Sequence, residues 1–103
     1  MRNAKAELLE MLSTGLVLKC ATIIFDKGYG KGAKGINLKV GYSFEEYQAF
    51  LSKLDFIYDP GFGGQELYGT CWLTDGTWLS RGEYDGSEWW EHNKLPEIPK
   101  SLL

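Results

Sequence analysis

The sequence predicts an α+β fold: an antiparallel sheet of about five strands in the order α-β-β-α-β-β-β, with a C-terminal three-stranded meander packed on an amphipathic helix. Three observations predict it. Residues 65–92 form one alternating aromatic run broken by two Asp-Gly pairs, Asp75-Gly76 and Asp85-Gly86. Ser43 and Glu46 match a capping box, S-x-x-E, at the head of an amphipathic row. Two β-patterned segments precede that row, joined by a glycine-lysine loop.

Residues 4–13 are strong helix formers, with Leu8, Leu9 and Leu12 on one side, and Thr14-Gly15 ends them. Residues 16–25 carry apolar side chains at both parities and read as a central strand. Residues 36–42 alternate, with Ile36, Leu38, Val40 and Tyr42 expected inward. After the Ser43 cap, Phe44, Tyr47, Phe50, Leu51 and Leu54 recur at helical spacing and should cover one sheet face. Asp59-Pro60-Gly61 and Gly63-Gly64 lead into the meander. Pro96 and Pro99 make residues 93–103 an extended tail. The whole, 1–103, is expected to be one α+β domain.

Two-residue Asp-Gly loops favour type I′ turns, whose twist suits the flanking strands. With both loops that short, Trp72 faces Leu79 and Thr70 faces Arg81. On the second hairpin Arg81 faces Trp90, Glu83 faces Glu88 and Leu79 faces His92. Alternation then puts Leu67, Cys71, Leu73, Trp78, Gly82 and Trp89 on one face, with Trp89 covering Gly82. The other face holds Tyr68, Thr70, Trp72, Leu79, Arg81, Glu83, Glu88, Trp90 and His92. Rings mixed with charge are poor core material, so this second face is the expected contact surface.

The chain has 103 residues, 15% of them aromatic, and a net charge of −3. Residues 1–40 hold seven Lys/Arg against three Asp/Glu, a net +4; residues 41–103 hold four against eleven, a net −7. The acidic half contains the meander, which argues against binding a phosphate backbone there. It allows a protein partner of basic character, or a protein that imitates nucleic acid with its carboxylates. The chain contains no apolar run of membrane-spanning length and no signal-like leader, and Cys20 and Cys71 are too few for a disulfide scaffold. A cytoplasmic protein with no membrane association is the expectation.

The catalytic constellations fail on chemistry. His92 is the only histidine and has no carboxylate directly opposite in the expected register. Cys20, Cys71 and His92 lack paired zinc spacing. Glu83 and Glu88 could form a carboxylate pair, but solvated or partner-facing glutamates fit an edge hairpin better. No catalytic residue, metal or cofactor is therefore expected. Arg81 beside Trp90 suits a cation–π pair, and Trp, Tyr and Arg dominate interface energetics. The expected partner-binding residues are Tyr68, Trp72, Arg81, Glu83, Glu88 and Trp90. The alternative is a nucleotide or phosphate held by loop 27–35, using Lys27, Gly28, Gly30, Lys31, Gly32 and Lys34. Backbone N–H groups and lysine charge hold anions in such loops, although this one departs from a Walker A motif because Gly35 follows Lys34.

The segment WLSRGEYDGSEWWE, residues 78–91, resembles small proteins of unknown function encoded by bacteriophages and related mobile elements. The likeness spans under a quarter of the chain. It implies a bacterial cytoplasmic setting and a small accessory or anti-defence protein, and it carries no residue role with it. Together these readings point to a small non-catalytic binding protein, of the kind a phage uses to inhibit a host or defence protein.

Overall fold

A computed structural model describes residues 1–27, 32–61 and 63–103. In chain order the elements are β1 (Arg2–Asn3), α1 (Ala4–Leu12), β2 (Leu18–Phe25), β3 (Lys34–Leu38), α2 (Phe44–Lys53), β4 (Ile57–Tyr58), β5 (Leu67–Leu73), β6 (Trp78–Tyr84) and β7 (Ser87–Asn93). A short 3₁₀ turn, Lys100–Leu102, follows. The α+β class and the C-terminal meander are as the sequence predicts. The five-stranded antiparallel sheet runs β3-β2-β5-β6-β7, and the two-stranded β1-β4 ribbon, which no local pattern announced, stands apart from it.

Local chemistry sets the helix ends. Asn3 caps α1 by accepting the Ala6 N–H at 2.9 Å. At α2 the capping box forms in both directions: Ser43 Oγ accepts the Glu46 N–H, and Glu46 accepts the Ser43 N–H, each at 3.1 Å. Leu8 of α1 and Phe50, Leu51 and Leu54 of α2 join Ala21, Ile23, Ile36, Leu38, Leu67, Cys71, Leu73, Leu79 and Trp90 in one core. Phe44 and Val40, expected inward, are exposed, because α2 begins at Phe44 and β3 ends at Leu38. Tyr42 is half-buried and donates its hydroxyl to Leu18 O at 2.7 Å.

Both helices pack on the same face of the sheet. The opposite face, bearing Thr22, Ile24, Tyr68 and Trp72 of β2 and β5, has no helix over it among the described residues. This asymmetry determines where a site can lie. Among the same residues, no helix is long and apolar enough to cross a membrane.

Candidate functional site

The two hairpins differ in a way that decides which side chains are surface. Around Asp85-Gly86 the expected two-residue turn forms, with Asp85 at φ 51° and Gly86 at φ 85°. The pairs Arg81 to Trp90, Glu83 to Glu88 and Leu79 to His92 are as predicted. Around Asp75-Gly76 the loop has three residues, not two. Trp72 pairs with Trp78 and Cys71 with Leu79. The Gly76 N–H donates to Leu73 O at 3.2 Å, the Leu73 N–H donates to Thr77 O at 2.9 Å, and Gly76 sits at φ 87°. This is the G1-bulge form of hairpin, which needs glycine at its left-handed third position. Thr74 becomes the first residue of the loop instead of pairing with Thr77, and its N–H donates to Val17 O at 2.9 Å, prolonging the pairing with the chain entering β2.

A one-residue slip turns a strand's side chains to the opposite face. Relative to β5, all of β6 and β7 are turned over. Leu79, Arg81, Glu88 and Trp90 therefore join Leu67, Cys71 and Leu73 beneath the helices, and Trp78, Ser80, Gly82 and Trp89 join Tyr68, Thr70 and Trp72 on the open face. The expected contact surface is thus divided. Tyr68 and Trp72 remain outside, 41% and 44% exposed. Arg81, Glu88 and Trp90 are interior, with Glu88 4% and Trp90 6% exposed. Glu83 is exposed at the rim, where its carboxylate accepts the Gly86 N–H at 3.1 Å.

The interior group is a charge network. Arg81 Nη2 donates to Tyr58 Oη and to Glu88 Oε1, each at 2.9 Å, and Nη1 lies 3.3 Å from Glu7 Oε1. Tyr58 donates to the same Glu7 oxygen, and Arg2 reaches the other at 3.1 Å from the surface. Glu88 also accepts the backbone N–H groups of Glu66 and Leu67, at 2.9 and 3.0 Å, and so anchors the start of β5. The guanidinium lies 4.9 Å from the Trp90 ring and 5.7 Å from the Tyr58 ring. The predicted cation–π pair exists, but within the protein. Burial opposes the Arg81 charge; Glu7, the bond to Glu88 and Tyr58 outweigh it and hold its pKa above the ordinary value. Burial, then the bond to Glu7, raises the Tyr58 hydroxyl against the opposing charge of Arg81. Glu7 and Tyr58 are the partners that sequence reading missed, since nothing local couples residues 51 positions apart.

The open face has an order of its own. Successive pairings place Asn37, Thr22, Thr70, Ser80 and Glu91 in one polar row across all five strands. On one side of this row lie Cys20, Trp72 and Trp78, with Asn93 beside them. On the other lie Ile24 and Tyr68, with Gly82 under Trp89. A Cβ at Gly82 would stand 2.6 Å from the Trp89 ring, so the predicted cover of glycine by indole holds, on this face. Trp89 Nε1 donates to Glu91 at 3.0 Å and Tyr68 Oη to Gln65 O at 2.9 Å. The surface that results is ring-bearing, and Glu91 is its one charge within the row.

His92 Nε2 lies 2.8 Å from Thr77 Oγ1. No cluster of three His, Cys, Asp or Glu suited to a metal occurs among the described residues. Of the alternative loop site, Gly28, Gly30 and Lys31 lie outside the described residues. Lys27, Gly32 and Lys34 line a cavity of ≈ 250 Å³ together with Phe25, and Lys27 Nζ lies 5.8 Å from the Phe25 ring. Comparisons with protein-family models, with curated proteins and with solved structures give no match.

Proposed function

We propose that this protein is a small non-catalytic binding protein whose open sheet face, through Tyr68, Trp72, Trp78 and Trp89, docks a protein partner. The observation that carries this reading is the asymmetry of the sheet: both helices cover one side, while the other carries rings and, among the described residues, no helix. Rings left in water forgo burial worth about 25 cal/mol per Å². Exposed rings clustered on one face in this way serve as interaction sites, with Trp and Tyr as anchors. The net −7 of residues 41–103 favours a partner of basic character. The likeness of residues 78–91 to phage-encoded proteins supports a host or defence protein as that partner and a bacterial cytoplasm as the setting. Arg81, Glu88 and Trp90 serve this reading only indirectly, by holding the sheet beneath.

Affinity capture from a bacterial lysate, run in parallel with the native chain and with Trp72→Ala and Trp78→Ala, tests it. Each substitution should weaken binding to the captured protein by about 2 kcal/mol, roughly 30-fold, while the melting temperature changes little. Capture indifferent to both rings would refute the face. A second reading, a nucleotide or phosphate at the glycine-lysine loop, draws on the cavity that Lys27, Gly32 and Lys34 share with Phe25. A nucleotide should then raise the melting temperature, and Lys27→Ala with Lys34→Ala should abolish the rise. A nucleotide panel without shift or calorimetric heat would dispose of that reading.

A further inference from the structure

We propose that the open sheet face of one molecule receives the 94–103 arm of a second molecule, so that two copies exchange arms reciprocally. The inference rests on the reading of that face as a docking surface and names its occupant when no other partner is present.

The arm has the chemistry of a ligand. Every residue from Lys94 to Leu103 is exposed, and Leu95, Ile98 and Leu102 stand 77%, 62% and 75% in solvent. Leu95-Pro96-Glu97-Ile98-Pro99 is a P-x-x-P segment with an apolar residue before each proline. Pro99 lies at φ −60°, ψ 143°, within the polyproline II region. Extended proline segments dock on aromatic-lined surfaces because their conformation is already set and little entropy is lost. The open face supplies such a surface, with Trp72 and Trp78 on one side of the polar row and Tyr68 and Trp89 on the other.

The dimensions agree. Six residues, 94–99, at about 3.1 Å each span roughly 19 Å. Five strands about 4.8 Å apart span roughly 19 Å between the outer two. The arm is long enough to cross the whole sheet along the polar row. Polyproline II leaves its carbonyls unpaired; in the row Thr22 Oγ1 already donates to Asn37 Oδ1 at 2.8 Å, and the hydroxyls of Thr70 and Ser80 stand beside it. Ser80 Oγ accepts Asn93 Nδ2 at 2.8 Å, which leaves its own proton to donate. Lys94 and Lys100 flank the apolar residues and suit a face whose charge is the carboxylate of Glu91.

The exposure of Leu95 and Ile98 shows that the arm does not lie on its own sheet. Its exit is held there: Asn93 Nδ2 also donates to Glu91 O at 3.2 Å. A second copy offers the same face without a reversal at Asn93. Because each molecule has one arm and one face, a twofold pair closes and satisfies both.

The test is sedimentation of the full chain over a range of micromolar concentrations, with circular dichroism to verify folding. The native chain should approach a dimer mass. Ile98→Asp, Leu95→Asp and Trp72→Ala should each remain folded and weaken association roughly 30-fold or more. An equimolar mixture of Ile98→Asp and Trp72→Ala should associate more tightly than either alone, because a mixed pair retains one intact arm on one intact face. A native chain that is monomeric throughout, a dimer indifferent to these three residues, or a mixture no tighter than its components would overturn the proposal. A monomeric native chain whose lysate capture still depends on Trp72 overturns arm exchange alone; capture indifferent to Trp72 and Trp78 overturns the docking face itself.

Discussion

Replacing Arg81 with Met removes the one cation between two interior carboxylates while keeping a side chain of similar reach. Five interactions disappear together: the donations from Nη2 to Tyr58 and to Glu88, the ion pair with Glu7, the Nε donation to Leu67 O at 3.3 Å, and the ring contact with Trp90. The larger cost lies in what remains. Glu7 and Glu88 are 5% and 4% exposed, and Met offers neither of them a charge or a donor. Removing one member of a buried ion pair costs about 3–5 kcal/mol, chiefly because its partner stays buried and uncompensated. Against a total stability of about 5–15 kcal/mol, such a loss leaves the domain marginal.

Urea titration followed by tryptophan emission measures the loss. Arg81→Met should lower stability by about 3–5 kcal/mol, and adding Glu7→Gln with Glu88→Gln should restore part of it by taking away the stranded charges. Arg81→Lys keeps the charge without the fork and should fall between native and Met. If Arg81→Met lies within about 1 kcal/mol of the native chain, the network is not holding the sheet and the argument from uncompensated burial is wrong.

Gly69 lies at φ 145° in the middle of β5, and a Cβ there would stand 2.3 Å from Thr22 O, so Gly69→Ala should cost roughly 3 kcal/mol or more in the same titration; a loss under about 1 kcal/mol would mean that β2 and β5 can part at that point. Burial, with a smaller contribution from Cys20, raises the Cys71 thiol from 9.0 to about 12, and Tyr58 is raised above 10.0. The unfolded chain releases both protons first, so stability should be full below about pH 9 and fall as pH rises toward 12, by up to about 1.4 kcal/mol per pH unit for each group; urea midpoints unchanged from pH 8 to 11 would contradict this, and Cys71→Ala should flatten the first part of the fall. Ser43→Ala removes one half of the capping box and should cost about 1 kcal/mol without changing the fold, as judged by circular dichroism and a thermal melt.

The elements that sequence reading placed well are those governed by local chemistry. The capping box names its own residues, Asp85-Gly86 has both positive φ values of a type I′ turn, and Trp89 over Gly82 follows from strand pairing alone. The division of the expected contact surface came from one loop length. Asp75-Gly76 supports a two-residue turn or a three-residue turn with a bulge, and the three-residue form goes with the Thr74 N–H bonded to Val17 O, a contact made 57 residues away in sequence. Parity offered a warning. The two-residue register leaves Leu79 and Trp90 outside while seating Ser80 and Gly82 within, a poor exchange for a core. Glu7 and Tyr58 had no such signal, because their link to Arg81 exists only once α1, β4 and β6 have met.

That single slip accounts for both properties of the meander. With β6 and β7 turned over, Arg81 falls beneath α1, where it is held only because Glu7, Glu88 and Tyr58 converge on it from three different elements. The same turn sends Trp78 and Trp89 to join Tyr68 and Trp72 on the side that no helix among the described residues covers. Antiparallel sheets covered on one face ordinarily present polar residues on the other. Here the polar residues form one row, and rings stand on both sides of it. A sheet that places its only arginine in the core while Tyr68 and Trp72 stand exposed and Trp78 and Trp89 are half-buried outside departs from the ordinary division between inside and outside. The interior half of that departure is compensated by the ion network. Among the described residues nothing covers Tyr68 and Trp72 on the exterior half, and docking a partner across the rings would bury them.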